Sequence, residues 1–162
     1  MIAEDLRGVP NFRIYLASGT KENGGSGFEN LVSASHNDIL DAEIVAVVSN
    51  HEHGGVRERA DRLGVKFIFF PGPYDAEHYS SVLQNTGIEW IALSGWFKHV
   101  QGLDPRRTFN IHPALLSQLS GRFGGTGMFG HRGHVAVKAA LDAGEITETR
   151  VSMHLVPDQS YL

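Results

Sequence analysis

The chain has 162 residues, 41% of them hydrophobic, with no cysteine and a formal net charge of -4. That length suits one domain around one core, and the composition matches neither a disordered chain nor a membrane protein. Lack of cysteine excludes disulfides, thiolate zinc sites and cysteine nucleophiles, the acidic balance gives no electrostatic case for nucleic acid, and no apolar run is long enough for a bilayer.

The N-terminus Met1-Ile2-Ala3-Glu4-Asp5 lacks a signal-peptide layout, so a cytoplasmic protein with no membrane partner is expected. Residues 1–11 read as a lead-in, and Phe12-Arg13-Ile14-Tyr15-Leu16-Ala17 as a first buried strand. A glycine-rich loop follows over 18–27, ending in Gly25-Ser26-Gly27, and a helix starts near Phe28. Strand, glycine loop, helix is a layout that offers backbone N–H groups to an anion. The dinucleotide spacing is not cleanly met and no Walker lysine follows, so a flexible turn stands beside a phosphate cradle as a reading of this loop.

The run Glu43-Ile44-Val45-Ala46-Val47-Val48-Ser49 is a second strand, apolar enough to be buried on both faces. His51-Glu52-His53 follows, and two histidines in a polar loop read as solvated side chains or as a weak metal pair. An amphipathic helix is expected over 55–63, with Gly64 as its stop, then a strand over 66–70 closed by Pro71-Gly72-Pro73. Asp75 is placed to cap a helix over 76–85, and a fourth strand runs over 88–93. Beyond Leu103-Asp104-Pro105 comes a strand from Arg107 to Asn110, then a glycine-rich stretch over 121–130, read as functional or mobile. A helix over 134–143, stopped by Gly144, and a strand over 151–156 complete the pattern. His134 reads as structural or as a contributor to a site. Strands and helices alternate, which predicts an α/β fold: a single Rossmann-like domain with a mostly parallel sheet flanked by helices.

The centre of this pattern is Phe109-Asn110-Ile111-His112-Pro113-Ala114-Leu115-Leu116. In a strand alternate side chains share a face, so Asn110 and His112 point the same way. Pro113 ends the strand within a residue. Ligands of parallel α/β folds sit outside the carboxyl ends of strands. An amide and an imidazole there can steady an oxyanion and move a proton, although turn chemistry with a satisfied histidine accounts for the same spacing.

The stretch Asn110-Ile111-His112-Pro113-Ala114-Leu115-Leu116 resembles the Asn-x-His-Pro-x-Leu-Leu hallmark of the phosphoribosylglycinamide formyltransferase family. Gly25-Ser26-Gly27-Phe28-Glu29-Asn30-Leu31 is similar to that family's Gly-Ser-Asn-x-x-x-Leu phosphate loop, and Leu93-Ser94-Gly95-Trp96-Phe97 to its Leu-Ala-Gly-Phe-Met segment. Val48-Ser49-Asn50, Gly127-Met128-Phe129-Gly130 with His134, and Val151-Ser152-Met153-His154-Leu155-Val156 extend the likeness nearly end to end.

The resemblance implies the formyltransferase fold and formyl transfer from 10-formyltetrahydrofolate, a co-substrate, to the amine of glycinamide ribonucleotide in purine synthesis. It implies His112 as proton donor, Asn110 as hydrogen-bond donor to the oxyanion, and Gly25, Ser26 and Gly27 around the substrate phosphate. It assigns Leu93, Ser94, Gly95, Trp96, Phe97, Lys98, His99 and Val100, together with Asn110, to folate binding. It implies no metal, no nucleic acid and no membrane, and leaves the oligomeric state open.

The sequence also departs from the family pattern. Gly27 stands where the phosphate loop has asparagine, 20–24 reads as an insertion, no arginine near Ala76 matches one used at the folate tail, and Ser117 replaces a proline. The family's third catalytic residue, an aspartate, falls at or just past Leu162, and Asp158 lies early for that role. The formyltransferase domain over 1–162 is therefore expected to be incomplete at its C-terminal end. Rival readings are the catalytic domain of a formyltetrahydrofolate hydrolase or of methionyl-tRNA formyltransferase, and a non-catalytic folate- or nucleotide-binding module.

Overall fold

The structure is a computed structural model that describes residues 13–17, 22, 24–84, 87–125, 127–128 and 130–156. The readings made above for 1–12, 18–21, Asn23, Asn85, Phe129, Asp158 and Leu162 lie outside the described residues.

Six strands form one sheet: β1 (Arg13–Ala17), β2 (Glu43–Ser49), β3 (Lys66–Phe69), β4 (Trp90–Leu93), β5 (Thr108–His112) and β6 (Ser152–Leu155). Their spatial order is β3-β2-β1-β4-β5-β6. Every neighbouring pair is parallel except β5 with β6, which is antiparallel. The four helices are α1 (Ser26–His36), α2 (Gly55–Leu63), α3 (Ala76–Leu83) and α4 (His131–Asp142).

Helices cover both faces of the sheet, as a parallel sheet requires. On one face, Phe28 and Val32 of α1 and Val56 and Ala60 of α2 pack on Ile44, Val47 and Ala92. On the other, Tyr79 of α3 packs with Ala46, Val48, Ile91 and Leu93. β2 serves both cores, with its last four residues all buried. Its register against β1 shifts between Ile14 and Tyr15, whose partners are Ile44 and Ala46, so Val45 is a bulge. The bulge lets Ile44 and Ala46 serve opposite faces. A third cluster of Ala114, Phe123, Val137, Ala140 and Ile146 seats α4.

Local signals explain the helix ends. Val56 and Ala60, four apart, turn α2 inward, while Arg57 and Asp61 pair on its exposed side. Gly64, at φ 68°, closes that helix in the left-handed region. Asp75 caps α3 by accepting from the His78 backbone N–H at 3.0 Å.

Several predicted boundaries are corrected. Ser26 and Gly27 are not loop but the first two residues of α1, because Gly25 at φ 94° makes the turn that starts it. α4 begins at His131, three residues before the predicted start, behind Gly130 at φ 56°. β5 reaches His112 rather than stopping at Asn110, since pairing with β6 carries it to Pro113. Ile88 and Glu89 precede β4, and the helix predicted over 76–85 ends at Leu83. A 3₁₀ turn over Gln118–Gly121, unforeseen from sequence, opens the glycine-rich stretch.

Candidate active site

The strand order reverses direction at β1: β2 and β3 lie on one side of it, β4, β5 and β6 on the other. Such a switch point opens a crevice outside the carboxyl ends of the two strands that flank it. Here those strands are β1, which leads to α1, and β4, which ends in Leu93-Ser94.

The first turn of α1 forms one wall. Gly25 is its N-cap, and no side chain caps the helix. The first helical N–H groups carry the positive end of the helix dipole. Arg59 of α2 secures the approach to this turn. Its Nη1 donates to the Gly24 carbonyl at 2.9 Å and its Nε to Glu29 at 2.8 Å. Arg62 and Arg59 together hold the Glu29 carboxyl below its usual pKa. Gly55 is obligatory beside this clamp, because a Cβ there would stand 2.7 Å from Arg59 Nη1 and from the Gly24 carbonyl.

Ser94 forms the opposite wall. A Cβ built on Gly27 falls well inside van der Waals contact of Ser94 Oγ. One residue back, Leu93 pairs with Asn110 of β5. The α1 turn, the end of β4 and the end of β5 are therefore contiguous.

At the end of β5, Asn110 and His112 share the face that Leu93 shares, and both are half-buried. Each is held by a partner remote in sequence. Asn110 Nδ2 lies 3.2 Å from His154 Nε2, directly across the β5–β6 pair. His154 Nδ1–H donates to the Leu155 carbonyl at 3.1 Å, which leaves Nε2 as the acceptor for the Asn110 amide. One amide hydrogen of Asn110 is thereby used and the other is left for a ligand. His112 Nε2–H donates to the Phe123 carbonyl at 2.7 Å, so Nδ1 is the ring atom turned to other work. Phe123 is 0% exposed within the α4 cluster, which fixes that carbonyl in space. Sequence reasoning found Asn110 and His112 but missed the Phe123 carbonyl, whose signal was one aromatic ring in a glycine-rich stretch. It matched His154 without seeing its bond.

The segment expected to bind folate is divided. Leu93 and Trp96 turn into the core beside α3. Trp96 Nε1–H donates to the Tyr79 hydroxyl at 3.0 Å, and that hydroxyl donates to the His99 carbonyl at 2.8 Å. Burial pushes the Tyr79 phenol up to about 12. Ser94, Gly95, Lys98, His99 and Val100 are half-buried, while Phe97 is exposed and packs beside Gly130. Lys98 Nζ sits 5.2 Å from the centroid of the Tyr74 ring. His51 and His53 lie apart from Asn110, at the end of β2, and His134 is exposed on α4. Among the described residues no group of three or more His, Asp or Glu is placed to hold a metal ion, and no helix is long and apolar enough to cross a membrane.

No family model matches the chain. It is 32% identical over 133 residues to a chloroplastic phosphoribosylglycinamide formyltransferase of Arabidopsis thaliana, a match that covers 75% of this chain and 43% of the relative. The crystal structure of glycinamide ribonucleotide transformylase 1 from Geobacillus kaustophilus is 26% identical, with a TM-score of 0.68 over 92% of this chain and 76% of that one. Over about three quarters of its length the chain is similar to phosphoribosylglycinamide formyltransferases.

Glycinamide ribonucleotide transformylase 1 of Symbiobacterium toebii, 23% identical, shares the fold of this chain at a TM-score of 0.71 over 96% of this chain and 71% of its own. The formyltransferase fold expected from sequence, α/β with a mostly parallel sheet, is therefore the observed one. The chain spans less than half the length of the Arabidopsis relative.

Proposed function

We propose that this protein transfers a formyl group from 10-formyltetrahydrofolate to the amine of glycinamide ribonucleotide. The observation that carries the reading is the pair Asn110 and His112, side by side on one strand face and each held by a partner, one strand from the switch-point crevice. In this reading the substrate phosphate sits at the first turn of α1 against Gly25, Ser26 and Gly27, and the amine reaches the end of β5. The folate lies along Leu93, Ser94, Gly95, Trp96, Phe97, Lys98, His99 and Val100, with Leu93 and Trp96 supporting that wall from within.

The amine attacks the formyl carbon, and the carbonyl oxygen takes the electron pair. Asn110 donates its second amide hydrogen to that oxygen. A hydrogen bond placed where charge develops is stronger in the transition state than in the ground state. His112, held at Nε2 by the Phe123 carbonyl, carries its mobile proton on Nδ1. It stabilises the oxyanion and supplies a proton to the departing folate nitrogen as the tetrahedral intermediate collapses. The attacking amine gives up one proton to solvent, and formylated ribonucleotide and tetrahydrofolate leave. The partners are small molecules, and no step calls for a metal.

The test is formyl transfer between these two substrates by the protein from its complete reading frame, beside His112→Ala. Turnover in the parent and a loss of about 10²–10⁴-fold in kcat in the variant are expected. A folded, folate-binding parent with no turnover would sink the transferase and leave a binding module.

A further inference from the structure

Two departures from the family motifs meet in space. Gly27 stands where the phosphate loop has asparagine, and Ser94 where the strand-end segment has alanine. They are far apart in sequence, yet the space a side chain at position 27 would enter is filled by the hydroxyl of Ser94. That Oγ has no hydrogen-bond partner among the described residues. It lies beside the second residue of α1, a helix with no side-chain cap, across the crevice at the strand-order reversal. Ser94 is half-buried.

We infer that the Ser94 hydroxyl donates a hydrogen bond to the phosphate of the acceptor substrate, supplying from β4 the side-chain donor that Gly27 omits from α1. The inference rests on the phosphate position proposed above. A phosphate at the first turn of α1 receives backbone N–H groups from one side. The hydroxyl approaches from the other, where a Cβ at position 27 would otherwise stand. Ser94 is thus a binding residue for the acceptor and takes no part in moving protons.

The geometry also says what exchange is permitted. With Oγ removed, a Cβ on residue 27 meets only the Cβ of residue 94, at 3.4 Å, an ordinary contact. Residue 27 lies within α1 and its φ is not positive, so a side chain there adds no backbone strain. A side chain at 27 therefore fits beside alanine at 94, and beside serine it displaces the hydroxyl from its present place.

The experiment is steady-state kinetics on four proteins: the parent, Ser94→Ala, Gly27→Asn and the double variant, with inorganic phosphate as a competitive inhibitor. Ser94→Ala is expected to raise the KM for glycinamide ribonucleotide and the inhibition constant of phosphate together, by roughly 10-fold, the loss of one hydrogen bond to a charged group. The acceptor KM and the phosphate inhibition constant move together, a coupling that loss of stability alone would not give. The double variant regains most of the affinity that Ser94→Ala loses. A parent with no turnover refutes the transferase itself. An active parent whose Ser94→Ala variant keeps its acceptor KM and phosphate inhibition overturns this inference alone, as does a double variant no better than Ser94→Ala.

Discussion

Replacing Tyr79 with phenylalanine isolates one oxygen atom. Tyr79 and Trp96 are 6% and 4% exposed, and the Tyr79 hydroxyl both accepts from Trp96 Nε1–H and donates to the His99 carbonyl. Phenylalanine keeps the ring, and with it the edge contact to Phe70 at 5.2 Å between centroids. What changes is that a buried indole N–H loses its acceptor, which costs about 1–3 kcal/mol, and a half-buried carbonyl loses its donor, which costs about 1 kcal/mol. The expected loss is about 2–4 kcal/mol, read by urea unfolding at pH 7 with an unchanged m-value. An independent signature lies at high pH. Burial raises the Tyr79 phenol from 10.0 to about 12, so folding favours the neutral form. The stability this contributes is fully present below pH 10 and is lost as pH rises from 10 towards 12. Tyr79→Phe should remove that part of the alkaline decline, leaving the part owed to Tyr74, whose phenol is also raised by burial. A loss under about 0.5 kcal/mol with the parent's full alkaline decline would refute the reasoning, since a buried N–H without an acceptor should cost more.

Two further outcomes follow from close contacts. Gly102→Ala should destabilise by about 2–4 kcal/mol in thermal or urea unfolding, because its φ is +70° and a Cβ there would lie 2.6 Å from the Ala76 Cβ and 2.9 Å from its Cα. His154→Leu should lower kcat by roughly 10-fold with little change in either KM, since it frees the Asn110 amide to rotate, and His154→Gln should recover part of the loss by restoring an acceptor. Equal kcat in the leucine and parent proteins would show that Asn110 needs no such support.

What could be read from the sequence was what neighbours in the chain decide. The run at 43–49 is apolar on both faces and is a strand with those bounds; α2 ends at its predicted glycine; Asp75 caps where its spacing to His78 says it should. Asn110 and His112 are legible because period-two geometry aligns them without reference to anything distant. The partners that hold them are not, because His154 is 44 residues away and Phe123 is 11. Only strand pairing and the burial of one phenylalanine bring them in. Glycine was the least informative signal. At 25–27 it suggested a loop, yet Gly25 begins a helix; at 121–130 it suggested a functional or mobile stretch without showing that Phe123 is buried within it. The meeting of Gly27 and Ser94 depends on tertiary geometry alone, and no local pattern announces it.

The alternation along β5 carries a consequence for error. Phe109 packs against Trp90 and the core under α1 and α2, while Asn110 faces the other way. A slip of one residue in the pairing of β5 would bury an amide and an imidazole among apolar side chains and turn Phe109 and Ile111 into the crevice. Such a slip incurs the desolvation of two polar groups and the loss of an aromatic from the core, several kcal/mol in all. The far side of the sheet thus acts as a proofreader: a chain that has folded stably around Phe109 has, by the same act, aimed Asn110 and His112 correctly.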